Sequence, residues 1–91
     1  MITFEWDQEK AAANAEKHGV SFPEAATAFG DPLSIVISDP VHSDQENRWV
    51  LIGMSSAGRL VVVAHAERGE SIRLISARLA TRRERTDYEH S

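Results

Sequence analysis

Residues 48–79 read RWVLIGMSSAGRLVVVAHAERGESIRLISARL. Three β-branched and aliphatic runs, at 48–54, 59–66 and 72–78, are separated by the turn-forming quartets SSAG and ERGE, so the stretch predicts a three-stranded antiparallel meander. If each quartet turns on two central residues, counting outward pairs Met54 with Arg59 and Arg48 with His65 in the first hairpin. In the second it pairs Ala64 with Arg73, His65 with Ile72, and Arg59 with Arg78. One face then carries Arg48, Arg59, His65 and Arg78 around Val50, Ile52, Val61, Val63 and Leu74, and the other carries Arg73 among Trp49, Leu51, Leu60, Val62 and Ile75. Like charges directly opposite one another repel, so an anion is expected between Arg59 and Arg78. A one-residue slip in the second hairpin would separate that pair.

Working outward, Ile2 to Trp6 alternates as a short strand, and Asp7 is placed to cap a helix over Gln8 to His18 that ends at Gly19. The apolar stripe of this helix is mostly alanine: Ala11, Ala12 and Ala15. Ser21 and Glu24 have the capping-box spacing around Pro23 and open a second helix, Phe22 to Phe29, which stops at Gly30. Asp31 and Pro32 break the chain before a β-branched strand, Leu33 to Ile37, and a polar loop, SDPVHSDQEN. Thr81 and Glu84 repeat the capping spacing and predict a closing helix from Arg82 to Glu89. The order β-α-α-β-β-β-β-α describes an α+β domain, one unit over residues 1–91, with an antiparallel sheet packed by helices on one side.

Charge is segregated along the chain. Residues 1–46 hold Lys10 and Lys17 against nine acids, a balance of −7, whereas residues 47–91 hold eight arginines against five acids, a balance of +3. An arginine-bearing second half suits a phosphate backbone or an acidic protein segment. The absence of cysteine removes disulfides and thiolate chemistry. No window approaches a membrane span and the N-terminus lacks signal-peptide character, so a cytoplasmic protein is expected. Asp39, His42 and Asp44 have no metal-ligand spacing, and there is no Gly-rich phosphate loop, nucleophile elbow or HExxH, so neither a metal nor a cofactor is expected. His65 is the side chain best suited to proton transfer near neutrality.

FEWD at 4–7, N-x-x-K-H-G-V-S-F at 14–22, EAATAF-x-D-P at 24–32, E-x-R-W at 46–49, GRLVVVAHAERG at 58–69 and IRLISAR-x-A-T-R-R-E-R-x-x-Y-E at 72–89 together resemble the BrnT toxin family. The resemblance covers nearly the whole chain. It implies a RelE-like fold and a type II toxin–antitoxin pair, in which a BrnA antitoxin with a ribbon-helix-helix DNA-binding part wraps the toxin. Operator DNA would be reached only through that antitoxin. It further implies metal-independent RNA cleavage by the substrate's own 2′-hydroxyl. For that chemistry His65, Arg59, Arg78 and Arg73 are the catalytic candidates, and Arg48, Arg68 and Lys17 the substrate-binding ones. Tyr88 and Glu46 are lesser acid or base options. Two other classes compete: an interaction module whose arginine face binds an acidic partner, and a DNA-binding regulator, which the acidic first half disfavours.

Overall fold

The computed structural model describes residues 2–39 and 47–91. In chain order these form β1 (Thr3–Glu5), α1 (Gln8–His18), α2 (Phe22–Thr27) continued by a 3₁₀ turn (Ala28–Gly30), β2 (Ile35–Ser38), β3 (Arg48–Met54), β4 (Leu60–Arg68), β5 (Ser71–Leu79) and α3 (Arg82–Glu89). The expected order of elements holds. The caps hold as well: Asp7 accepts from the amides of Glu9 and Lys10 at 2.8 and 3.1 Å, Gly19 takes φ 70°, and Ser21 accepts from the amide of Glu24. Thr81 and Glu84 form a reciprocal capping box.

The sheet runs β1-β5-β4-β3-β2. It is mixed rather than wholly antiparallel, because β1 lies parallel to β5, with Phe4 beside Ile72. No hairpin turn ties β1 to its neighbour, so alternation alone could not orient it. Helices cover both faces, not one. Val61 and Val63 pack with Leu51, Leu74, Ala77, Val20, Phe22, Ala25 and Ala28 beneath α1 and α2. Their strand neighbours Leu60 and Val62 pack with Ile52, Tyr88 and Ala80 beneath α3. The unbroken apolar run of β4 has no polar side to leave in water, so both faces need a cover.

Both hairpins depart from the expected register, the first in loop length and the second in position. The first has a three-residue loop: Ser55 donates its amide to the Arg59 carbonyl at 2.8 Å, and Gly58 closes the turn at φ 79°. That loop places Trp49, not Arg48, opposite His65, and Leu60, not Arg59, opposite Met54. The second turns on Gly69 and Glu70, with Gly69 at φ 62° and Arg68 opposite Ser71. Gly at the first central position of a two-residue hairpin selects the primed turn that matches strand twist. In addition, β5 holds one residue more than β4 between the pairs Ala64–Ser76 and His65–Leu74. The extra residue, Ile75, is a β-bulge, which reverses the facing of everything beyond it.

The alanine stripe of α1 is also only partly as expected. Ala11 packs on the core, Ala12 and Ala15 are exposed, and the buried residue is Asn14. Its carboxamide donates to the carbonyls of Ala77 and Val20 at 2.8 and 3.0 Å and accepts from the Ala77 amide at 3.0 Å. Because β1 pairs only with residues 71–73 of β5, Ala77 faces a stretch of edge that no strand fills. Asn14 occupies it as a strand residue would, satisfying both backbone groups.

Candidate functional site

The register divides the arginines between two surfaces. Arg48 shares its face with Val50, two residues on, and Val50 packs beneath α3. Arg73 lies between Ile72 and Leu74, which belong to the core beneath α1 and α2, so it projects to the α3 side. Arg78, next to buried Ala77, projects the same way, and Arg68 meets Glu5, the neighbour of Arg73 in β1, at 3.3 Å on that same face. Arg48 and Arg73 both pair with Ala66, one from each side. Strands β3, β4 and β5 therefore contribute Arg48, Arg68, Arg73 and Arg78 to one surface, floored by the small residues Ala64, Ala66 and Ser76.

Arg78 is held where the sheet meets α3. Its Nη1 and Nη2 donate to the two carboxylate oxygens of Glu84 at 2.7 and 2.8 Å, a bidentate clamp that leaves the side chain 42% exposed. These hydrogen bonds from Arg78, helped by the Thr81 amide at 2.9 Å, outweigh the cost of burial and hold the Glu84 carboxyl at a pKa of about 2. One carboxylate thus caps α3 and orients the arginine, which fixes the helix relative to the strand.

Arg59 and His65 lie elsewhere, contrary to the expected pairing. Arg59 donates Nε to Glu24 Oε2 at 2.9 Å and Nη2 to both Glu24 Oε1 and the Gly19 carbonyl. Glu24 also accepts from the Ser55 hydroxyl at 2.7 Å. This cluster joins the end of α1, the start of α2 and the β3–β4 turn, and the Arg59 hydrogen bonds keep the Glu24 carboxyl below its ordinary value. Lys17 is exposed in the last turn of α1, at the same corner. His65 is 4% exposed, with its ring edge-on to Phe29 at 4.8 Å and Nδ1 within 3.1 Å of the Val63 carbonyl. Burial pushes its imidazole below the ordinary histidine value. It sits beneath α1 and α2, on the side of the sheet away from Arg48, Arg73 and Arg78.

Asp31, read from the sequence only as a chain break, is a junction. It accepts from the Met54 amide at 2.8 Å, the Leu33 amide at 2.9 Å and the Tyr88 hydroxyl at 2.7 Å. Burial pushes its carboxyl up, and these three donors outweigh that and hold it below its ordinary value. Tyr88 is thereby engaged as a clasp between α3 and β3, and its hydrogen bond to Asp31 raises its own pKa. An Asp-Pro before a strand signals a turn, and nothing in the spacing pointed to the tyrosine 57 residues later.

Among the described residues no group of histidine, aspartate and glutamate is placed to hold a metal ion. His42, Asp44 and Glu46 lie outside the described residues. No helix among the described residues is long and apolar enough to cross a membrane.

Residues 6–84 match the family described as ribonuclease toxin, BrnT, of type II toxin-antitoxin system. None of the curated proteins compared matches the chain. Among solved structures, the chain is similar to the 1.1 Å crystal structure of the Brucella abortus ribonuclease toxin BrnT. The TM-score is 0.68 at 22% identity, and the match covers 90% of this chain and 99% of that one. That likeness speaks to an α+β fold shared over almost the full length of both chains. With the family match spanning most of the sequence, the chain belongs to the BrnT family of ribonuclease toxins, whose place in type II systems implies an antitoxin partner.

Proposed function

We propose that the chain is a metal-independent endoribonuclease of the cytoplasm that arrests growth by cutting RNA, with the arginine surface of β3, β4 and β5 as its substrate site. In this reading Arg73 and Arg78 stabilise the charge that builds on the phosphate in the transition state, and Arg48 and Arg68 bind the flanking backbone. The nucleophile is the substrate's 2′-hydroxyl, so the protein need supply only positioning, charge and proton transfer. Arg59, Lys17 and His65 fall outside this site, and their parts are structural or peripheral. A BrnA-like antitoxin with a ribbon-helix-helix part would cover the arginine surface and carry the complex to operator DNA.

The observation that carries the reading is the convergence of four arginines from three strands on one face of the sheet, in a chain whose formal net charge is −4. The test is incubation of the purified chain with RNA in the presence of a chelator. Cleavage leaving a 2′,3′-cyclic phosphate and a 5′-hydroxyl supports it, and loss of all cutting on chelation refutes metal independence. Single changes Arg73→Ala and Arg78→Ala are expected to lower the rate by roughly 10²- to 10³-fold, the usual effect of removing one charge-stabilising donor.

A further inference from the structure

Besides Arg59, three arginines remain that this site does not use. Arg82, Arg83 and Arg85 open α3, all three are exposed, and among the described residues no ion pair engages them. Their placement runs against the stability of the helix. Cations favour a helix C-terminus and anions an N-terminus, yet α3 carries its arginines in the first turn, no basic residue in the last, and Asp87 and Glu89 near its end. An eight-residue helix with no buried residue has little packing to offset such a pattern.

Helical geometry shows what the arginines face. At about 100° per residue, Glu84 and Tyr88 lie one turn apart on the side that meets Arg78 and Asp31, and Arg82, Arg83 and Arg85 span an arc of about 160° opposite them. Glu84 binds Arg78, so the triplet begins where the arginine surface of the sheet ends. The outward side of α3 otherwise presents Thr86, Asp87 and Glu89, with no apolar side chain among the arginines. A protein partner would need an apolar centre there, whereas a phosphate backbone needs only charge.

We propose that Arg82, Arg83 and Arg85 form a phosphate-binding track that leads single-stranded RNA onto the arginine surface of the sheet, so that the substrate extends several nucleotides beyond the cut. The track rests on the ribonuclease reading of that surface, and its test separates the two. Binding of a non-cleavable 12-nucleotide oligodeoxyuridylate to the full chain is measured across a salt series. The comparison is with Arg82→Gln/Arg83→Gln/Arg85→Gln and with each single variant. Every phosphate that a variant no longer neutralises is expected to reduce the slope of log K against log salt by about 0.7, so the slope of the triple variant should fall by about 1.4 to 2.1. Its melting temperature should equal or exceed that of the parent, since the dipole conflict is relieved. If the triple variant does not fold, the single variants each carry the same slope test. On the reactive side, the triple variant should cut a 12-nucleotide RNA more slowly while leaving dinucleotide cleavage unchanged.

An unchanged salt slope overturns the track, as does an equal loss of rate on the dinucleotide and the 12-mer. An unchanged RNA slope with a weakened toxin–antitoxin complex also overturns it, and assigns the arginines to the antitoxin. If the parent chain cuts no RNA while the variants still show a reduced slope, the track stands and the ribonuclease reading fails.

Discussion

Arg73 and Arg78 stand five residues apart on β5 yet share a face of the sheet, because Ile75 lies between them without a partner on β4. Strict alternation would send them to opposite sides. The bulge is therefore what assembles the arginine surface, and it does so next to the residues that would handle substrate, where bulges commonly re-aim side chains. Deletion of Ile75 removes the extra residue and leaves Arg73 and Arg78 four residues apart, so strict alternation should keep both on the α3 side with the present pairing. The expected outcome is a folded variant that retains RNA binding, read by circular dichroism and by anisotropy. Loss of RNA affinity in a folded deletion variant would contradict the assignment.

Asn14 has a structural part that its position in an alanine-rich helix conceals. Asn14→Ala leaves the amide and carbonyl of Ala77 without partners in a buried setting, a penalty of about 1–3 kcal/mol for each unsatisfied group. In a domain of this size about 1 kcal/mol moves Tm by roughly 4–8 °C. Asn14→Asp keeps the acceptor for the Ala77 amide but loses the donor for the two carbonyls, so it should be destabilised as well. Thermal melts of the two variants against the parent decide the point.

Arg59→Ala should act on stability more than on chemistry. It releases Glu24 and the Gly19 carbonyl and loosens the corner where α1, α2 and the β3–β4 turn meet. The measured signature is a lower Tm with the cleavage rate of the folded fraction largely retained. A folded Arg59→Ala variant with its rate reduced as far as that of Arg78→Ala would return Arg59 to the active surface.

The acid limb of stability should trace Glu84. Its folded pKa of about 2 lies below its ordinary value of 4.5, so the clamp on Arg78 contributes fully above the ordinary value and is lost as pH falls from there through about 2. Glu84→Gln should be less stable than the parent at neutral pH, and the difference should shrink toward pH 2 in urea titrations.

His65 titrates in a different window. Its folded pKa lies below the ordinary value of 6.5 because burial disfavours the imidazolium. The unfolded chain binds that proton more readily, so this contribution is present above the ordinary value and is lost as pH falls below it. His65→Leu should flatten the pH dependence of stability below the ordinary histidine value of 6.5 and still cut RNA. Abolished cleavage in a folded His65→Leu variant would restore the histidine to the chemistry.

Local signals in the chain determined a great deal. Asp7, Gly19, Ser21, Thr81 and Glu84 set helix ends because caps act within three or four residues, and the β-branched runs set strands because period-two patterning is also local. Those signals gave the order of elements and the family-specific motifs. They located the arginine-rich strands but not the arginines' neighbours. Which arginines meet was decided by three tertiary facts: one extra residue in the first turn, the shifted position of the second, and the bulge at Ile75. The first and the third flip side chains from one face to the other, and the second slides partners by two residues on the same face, while local propensity barely alters. The contacts of Asn14 with Ala77 and of Tyr88 with Asp31 span 63 and 57 residues, and they form only once the sheet has brought distant backbone within hydrogen-bonding reach.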